Sequence, residues 1–195
     1  MSHSNPAGGA DPAAHQNPWT RLSRRVAYQN PWIVVYDDAV IRPDGRPGIY
    51  GVVHFRNPAV GIVALDDQDR VLLVGQYRYT LDVYSWEIPE GAAAPGEEPL
   101  AAAQRELKEE TGFTARHWQP ILRAHLSNSV SDEEALCFLA DGLQPGVAQP
   151  EGTERLQVRW VPFADALAMV AQGQITDAFS ILGLQRVALM RRDTA

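Results

Sequence analysis

GAAAPGEEPLAAAQRELKEETGF occupies residues 91–113 and contains the clearest helix signal of the chain. Pro99 stands where a first-turn residue has no backbone hydrogen bond to lose, and Gly112 stands where helices commonly end in a left-handed residue. At about 100° per residue, three apolar side chains share one face of such a helix: Leu100, Ala103 and Leu107. The sequence therefore predicts a helix over 99–111 with an apolar stripe that packs on a core.

Three acidic residues fall on an adjoining face of this helix: Glu106, Glu109 and Glu110. Neighbouring carboxylates at this spacing repel by a few tenths of a kcal/mol per pair, and the helix dipole disfavours negative charge in the last turn by roughly 0.3–1 kcal/mol per residue. A divalent cation would make the arrangement favourable, because Mg²⁺ prefers hard oxygen ligands and combines carboxylates with substrate phosphate. A solvated acidic face explains the helix, taken alone, equally well.

The spacing of the whole segment favours the metal site. Residues 91–113 satisfy the pattern G-x5-E-x7-R-E-U-x-E-E-x-G-U, with U apolar, at all nine specified positions. This segment resembles the signature box of the Nudix hydrolases. The resemblance implies an α/β fold, an α/β/α sandwich with a mixed sheet, and metal-dependent hydrolysis of nucleoside diphosphates linked to another moiety.

The resemblance also assigns roles to single residues. It implies that Mg²⁺ or Mn²⁺, as two or three ions, is held by the acids of the box: Glu106, Glu109 and Glu110. Arg105 matches the arginine that steadies these carboxylates by ion pairing, and both Arg105 and Glu109 are counted as catalytic. The backbone carbonyl of Glu90 matches a further metal ligand. Many relatives have a small residue at that position, so the extra carboxylate of Glu90 leaves the pocket shape and the substrate open.

Outside the box, residues 74–79, 86–91 and 173–178 resemble the branch of ADP-ribose pyrophosphatases and nucleotide-sugar hydrolases. The substrate-binding candidates come from the first two of these segments: Arg78, Tyr77, Trp86 and Glu87. The forked guanidinium of arginine suits a phosphate. The two aromatic side chains could stack on a base or line a sugar pocket, although an aromatic residue in a strand belongs to the core more often.

A general base is expected on a loop beyond the box. The resemblance places this base on such a loop, where the candidates are Glu133, Glu151 and Glu154. Glu154 is favoured because, like the catalytic-loop acid of that branch, it directly precedes a predicted strand, here over 156–161. For each of the three, a solvent-exposed loop acid without a catalytic role is an equally good interpretation.

The rest of the chain predicts alternating strands and helices, which is typical of a layered α/β domain. Residues 1–16 predict a loose tail and residues 17–55 a small β unit. The resemblance implies that this unit helps to form a homodimer and that residues 56–195 form the hydrolase domain. The predicted strands lie at 32–36, 49–55, 60–65, 71–79, 121–125, 135–140 and 156–161. The predicted later helices lie at 163–172 and 177–190.

Composition narrows the function further. A formal charge of −7 and a pI near 5.2 argue against nucleic-acid binding, which needs a basic face. Cys137 is the only cysteine, so an intrachain disulfide is excluded and a cytoplasmic location fits. No apolar run reaches the roughly 20 residues of a membrane span. The expected partner is a small nucleoside diphosphate substrate.

Two other functions remain open. A nucleoside triphosphate cleanup enzyme shares the box, but usually has a shorter chain without the front β unit. A non-catalytic sensor of ADP-ribose-like ligands usually has degraded box acids, whereas all of them are present here.

Overall fold

The computed structural model describes residues 16–149 and 155–192. Within these ranges the chain forms ten strands and three helices. The strands are β1 (Thr20–Gln29), β2 (Ile33–Ile41), β3 (Pro47–Phe55), β4 (Ala59–Ala64), β5 (Arg70–Arg78), β6 (Val83–Glu87), β7 (Glu90–Ala92), β8 (His117–His125), β9 (Glu134–Asp141) and β10 (Gln157–Pro162). The helices are α1 (Pro99–Thr111), α2 (Phe163–Ala171) and α3 (Ala178–Arg192). None of these helices is long and apolar enough to cross a membrane.

The first three strands form a separate antiparallel sheet in the order β1-β2-β3. A charged pair joins two of its strands: Arg24 donates from Nε and Nη2 to the two carboxylate oxygens of Asp38, at 2.7 Å each. The guanidinium of Arg24 also lies 4.2 Å from the ring centroid of Tyr36. The sheet is therefore held by cross-strand side chains as well as by its backbone ladder.

Two further sheets form the body of the chain. One is an antiparallel sheet in the order β10-β5-β6, and the other is a mixed sheet in the order β7-β4-β9-β8. Strands β4 and β9 run parallel, whereas β4 with β7 and β8 with β9 run antiparallel. Strand β4 is buried along almost its whole length, because helices cover the mixed sheet on both faces.

Alternate residues of β4 point to the two faces and meet different helices. Val60 and Ile62 pack with Ala103 and Leu107 of α1, while Val63 packs with the side of the core that α3 covers. The α3 side is filled by Phe179, Leu184 and Val187. The layers are thus helix, mixed sheet and helix, which confirms the predicted α/β sandwich.

The helix over 99–111 begins and ends as predicted, with Gly112 in the left-handed conformation at φ 76°. The predicted apolar stripe is wrong at Leu100, which is 40% exposed. The other two residues of the stripe are buried, and the buried face also includes Ala102, Thr111 and Glu110. A carboxylate thus occupies a position that packing alone would give to an apolar residue.

Strands β1, β6 and β7 were not predicted. Strand β8 begins at His117, four residues before the predicted start at 121. Of the predicted tail only residue 16 is described; the rest, together with Glu151 and Glu154, lies outside the described residues.

Candidate active site

The loop before α1 and the second half of that helix are joined by one arginine. Arg105 donates from Nε and Nη2 to the two carboxylate oxygens of Glu97, at 3.0 Å each. Its Nη1 donates to Glu106 at 2.8 Å and to Glu109 at 3.1 Å, and Nη2 also reaches the carbonyl of Ala92 at 3.0 Å. The hydrogen bonds from Arg105 are the largest cause that lowers the pKa of Glu97, so this carboxyl is ionised at neutral pH.

Strand β7 passes directly beside the acids of the helix. The backbone N–H of Glu90 donates to a carboxylate oxygen of Glu110 at 3.2 Å, and Glu110 is only 2% exposed. A Cβ atom on Gly91 would overlap the carboxylate of Glu106. Glycine at position 91 therefore makes room for one acid, while the peptide at position 90 binds another.

The acids of this region fit divalent cations. The guanidinium of Arg105 serves three of the four carboxylates of the box, which are Glu97, Glu106, Glu109 and Glu110. These carboxylates lie in partly buried surroundings, where several negative charges close together are costly. Carboxylate oxygens are the hard ligands that Mg²⁺ and Mn²⁺ prefer. Among the described residues, the acids whose carboxylate oxygens lie close enough together for one ion are Glu87, Glu90 and Asp177.

A second group of acids lies close by. Carboxylate oxygens of Glu87, Glu90 and Asp177 all lie within 4.8 Å of one another. Arg78 bridges two of them, because its Nη2 donates to Glu87 and to Glu90 at 2.5 Å each and its Nε donates to Glu87 at 2.9 Å. Burial opposes the charge of Arg78, but these hydrogen bonds and the nearby carboxylates more than offset it, so its pKa is raised.

Glu90 carries the most perturbed carboxyl of this group. Burial, followed by the charges of Asp177 and Glu87, raises the pKa of Glu90 well above its usual range. Its Oε1 accepts from Arg78, whereas Oε2 is buried and has no hydrogen-bond partner in the described part of the chain. The side chain of Glu90 is therefore a largely buried polar group at the edge of the box, with 15% of it exposed.

These residues border a cavity of about 760 Å³, a volume typical of small-molecule sites. We call this cavity the cleft. The cleft is lined by residues of the N-terminal unit, of the main sheets, of the segment 126–133 and of the start of α3. Six of the residues that line it are Trp32, Phe55, Arg78, Glu90, Glu133 and Asp177. A smaller cavity of about 550 Å³ adjoins the other end of the box and is lined in part by Arg105, Glu109 and Trp118.

Four predicted site residues meet in the cleft: Arg78, Glu87, Glu90 and Glu133. Glu133 is half-buried, and burial followed by the charge of Asp177 raises its pKa. A carboxyl with a raised pKa in a cleft has the property expected of an acid or base catalyst.

Neither predicted aromatic residue is among the described residues that line the cleft. Tyr77 is 58% exposed and its hydroxyl donates to Asp82. Trp86 lies partly buried against the core, with the guanidinium of Arg159 stacked 3.8 Å from its ring centroid. This environment favours a packing role for Trp86.

Sequence reasoning missed most of the residues that line the cleft, among them Trp32, Phe55 and Asp177. The first two belong to the front β unit, which the family resemblance connects only with dimer formation. Asp177 lies in the quoted segment 173–178, but its carboxylate accepts the N–H of Ser180 at 2.6 Å, as a helix-capping residue does. A capping pattern gives no sign that the same side chain borders a cleft.

Comparison with known proteins agrees with this geometry. The family model described as NUDIX domain matches residues 55–179, and the model described as nucleoside diphosphate sugar hydrolase N-terminal domain matches residues 19–53. The chain is 37% identical over 140 residues to an ADP-ribose pyrophosphatase of Mycobacterium tuberculosis, which covers 70% of this chain and 66% of that protein.

Two further similarities extend over most of the chain. An ADP-ribose pyrophosphatase of Bacillus subtilis is 31% identical over 171 residues, which is 86% of this chain and 91% of that protein. A crystal structure of an ADP compounds hydrolase superposes with a TM-score of 0.82 at 22% identity, covering 91% of this chain and 96% of the other. The structural match bears on the fold alone.

Proposed function

This chain belongs to the NUDIX domain family, and on that premise we propose that it hydrolyses the pyrophosphate bond of ADP-ribose or of a nucleoside diphosphate sugar. The products are a nucleoside monophosphate and a sugar phosphate. One observation carries the proposal: the acidic box is complete, and its first residues, Gly91 and Ala92, line a cleft of about 760 Å³ whose wall contains a guanidinium and several carboxylates. The names of the two ADP-ribose pyrophosphatases support the choice of substrate class.

The acids of the box would hold the metal. In this proposal Glu106, Glu109 and Glu110, together with the backbone carbonyl of Glu90, bind two or three ions of Mg²⁺ or Mn²⁺. Such ions, when bound, neutralise phosphate charge and lower the pKa of a water molecule. Arg105 holds Glu106 and Glu109 in place through its hydrogen bonds, and so keeps these acids from spreading apart when no substrate is present.

Arg78 and Glu133 would act on the substrate from the cleft. The guanidinium of Arg78 is oriented by Glu87 and Glu90 and can turn a donor toward a phosphate oxygen. Glu133 would take the proton of the attacking water molecule while the water oxygen bonds to phosphorus and the bridging P–O bond breaks. Glu151 and Glu154 stay alternative bases. Comparing Glu133→Gln, Glu151→Gln and Glu154→Gln for loss of kcat distinguishes the three, because only the base loses about 100-fold or more.

The wall supplied by the N-terminal sheet would bind the base or the sugar. Trp32 is 68% exposed and borders the cleft, so its ring is available for stacking. Tyr77 would need to exchange its bond with Asp82 for a substrate contact, and Trp86 would contribute by packing beneath the site.

We also propose that residues 17–55 form a dimerisation unit, residues 56–195 form the hydrolase domain, and the protein acts in the cytoplasm. Four exposed apolar side chains on the N-terminal sheet support an interface between two copies: Leu22, Val26, Tyr28 and Ile49. Sedimentation equilibrium should give about twice the 21.5 kDa mass of the chain. A monomer at micromolar concentration would contradict the dimer and leave the hydrolase assignment intact.

The reaction class is tested by product analysis. The enzyme is incubated with ADP-ribose, ADP-glucose, GDP-mannose and dGTP, each in Mg²⁺ and in EDTA, and the products are separated by ion exchange. A nucleoside monophosphate and a sugar phosphate should form from at least one diphosphate sugar, only with metal. Faster turnover of dGTP than of every diphosphate would instead assign triphosphate cleanup, and binding of ADP-ribose without turnover would assign a sensor.

A further inference from the structure

The loop between β8 and β9, residues 126–133, lies against the edge of the N-terminal sheet. The N–H of Val53 in β3 donates to the carbonyl of Val130 at 2.8 Å, and the N–H of Asp132 donates to the carbonyl of Val53 at 3.2 Å. The hydroxyl of Tyr50 donates to the carbonyl of Ser129 at 2.7 Å. The loop is therefore bound to β3 almost as a short additional strand.

Asp132 fixes the end of this loop with its side chain. One carboxylate oxygen accepts the backbone N–H of Phe55 at 2.9 Å, and the other lies 2.6 Å from Nδ1 of His54. Burial acts against the charge of Asp132, but the bonds to His54 and Phe55 more than offset it and lower its pKa. The carboxylate is thus ionised at neutral pH and links the loop to the last two residues of β3.

The next residue is Glu133, which lines the cleft, as Arg78 does. The loop closes on itself at this point, because the carbonyl of Glu133 accepts the N–H of Leu126 at 3.0 Å and Ser131 donates from Oγ to the carbonyl of Leu126 at 2.7 Å. A closed loop moves as a unit. A shift of the loop along β3 would therefore carry the carboxyl of Glu133 with it.

We propose that Asp132 is a positioning residue, through which the N-terminal sheet holds Glu133 in the cleft. The inference rests on the proposed function, in which Glu133 takes part in hydrolysis. In this proposal the N-terminal sheet positions a residue of the active site within its own chain, in addition to any contact between two copies.

A surface ion pair that only adds stability is the plainer explanation of the same contacts. His54 and Asp132 are 42% and 50% exposed in their side chains, and exposed pairs contribute little. The chain offers a matched control: Nδ1 of His117 lies 2.6 Å from a carboxylate oxygen of Asp141, in a pair that is also exposed. That pair is not among the described residues that line the cleft.

The test is a double-mutant cycle measured with the best diphosphate substrate in saturating Mg²⁺. Asp132→Ala should lower kcat by about 10- to 100-fold with KM changed less than about 3-fold, because misplacing a reacting group by about 1 Å costs up to about 100-fold. Asp132→Asn should restore kcat to within about 3-fold of wild type, because its amide oxygen can still accept the N–H of Phe55. Asp141→Ala should stay within about 2-fold of wild type.

The decisive arm places Asp132→Ala in a Glu133→Gln background. Residues that act as one unit are non-additive, so the second substitution should lower kcat by less than about 2-fold further. An equal fall in both backgrounds, or an Asp132→Ala enzyme no different from Asp141→Ala, would overturn the proposal. Full activity of Glu133→Gln would also overturn it, whereas a wild type inactive on every substrate would instead refute the proposed function.

A milder variant covers the case in which Asp132→Ala fails to fold. His54→Ala keeps the bond between Asp132 and Phe55 and should lower kcat by about 2- to 5-fold, again with no further fall in the Glu133→Gln background. An effect of His54→Ala that persists in that background would contradict the proposal just as clearly.

Discussion

Substituting Gly91 by alanine should separate the chemistry of the site from the stability of the fold. The backbone of Gly91 does not have a positive φ, so alanine is sterically allowed there. Its Cβ would overlap the carboxylate of Glu106, which is the far end of a flexible side chain. The carboxylate can rotate away, so we expect the free energy of unfolding to change by less than about 1 kcal/mol, or about 4 °C in Tm.

The same displacement should be severe for catalysis. Moving a metal-binding carboxylate by about 1 Å costs on the order of 100-fold in rate, and we expect the half-saturating Mg²⁺ concentration to rise about 10-fold or more. The assay is a Mg²⁺ titration of kcat together with a thermal melt. Gly51→Ala is the control, because a Cβ on Gly51 meets nothing within 4 Å.

Two results would refute this reasoning. If Gly91→Ala kept more than a third of wild-type kcat at ordinary Mg²⁺ concentration, Glu106 would not be a ligand whose position matters. If the variant lost more than about 3 kcal/mol of stability, the contact between β7 and α1 would be rigid packing, not a space left for a movable acid.

Three other substitutions test separate parts of the structure. Arg105→Gln leaves three partly buried carboxylates without their shared guanidinium. We expect the free energy of unfolding without metal to fall by about 2–3 kcal/mol and Tm to fall by about 4–12 °C. Addition of 10 mM Mg²⁺ should raise Tm more in this variant than in wild type. Asp38→Asn should lower the free energy of unfolding by about 1–2 kcal/mol at pH 7. The hydrogen bond from Arg24 lowers the pKa of Asp38 in the folded state, so wild type should lose this stability as pH falls below about 4, whereas the variant should not. Urea titration of both proteins at several pH values measures the difference. Trp32→Ala should raise KM about 5- to 30-fold with little change in kcat, because stacking on a base contributes about 1–2 kcal/mol. The control is Trp19→Ala, whose ring packs on Tyr50. An equal rise in KM in this control would argue against direct contact between Trp32 and the substrate.

The sequence predicted best where local chemistry sets the structure. Helix α1 has a proline near its first turn, a glycine at its end and an apolar face between them, so its limits needed no tertiary information. Strand β1 was missed because all ten of its residues are exposed and three of them are arginines, which removes the alternation typical of a strand. That strand exists because Thr20–Gln29 pairs with the next strand, β2, and the residues of β1 alone do not indicate this pairing.

The same distinction holds at the site. The box residues came together in one segment, so their spacing pointed to Glu106, Glu109 and Glu110 as a group. The cleft combines Trp32, Glu133 and Asp177, which are far apart in the chain and meet only when the sheets have packed. The prediction that Leu100 faces the core was wrong for a related reason, because the angular position of a residue on α1 does not tell which turn of the helix reaches the sheet.

The central claim is that the acids of the box hold the metal that drives hydrolysis of a diphosphate substrate. The most direct measurement is kcat for ADP-ribose in Mg²⁺ and in EDTA, with wild type, Glu110→Gln and the control Glu98→Gln, which alters an exposed glutamate outside the box pattern. We expect turnover that needs Mg²⁺, falls by about 100-fold or more in Glu110→Gln, and stays within about 2-fold in Glu98→Gln. Turnover that survives EDTA, or a Glu110→Gln enzyme as active as Glu98→Gln, would contradict the account.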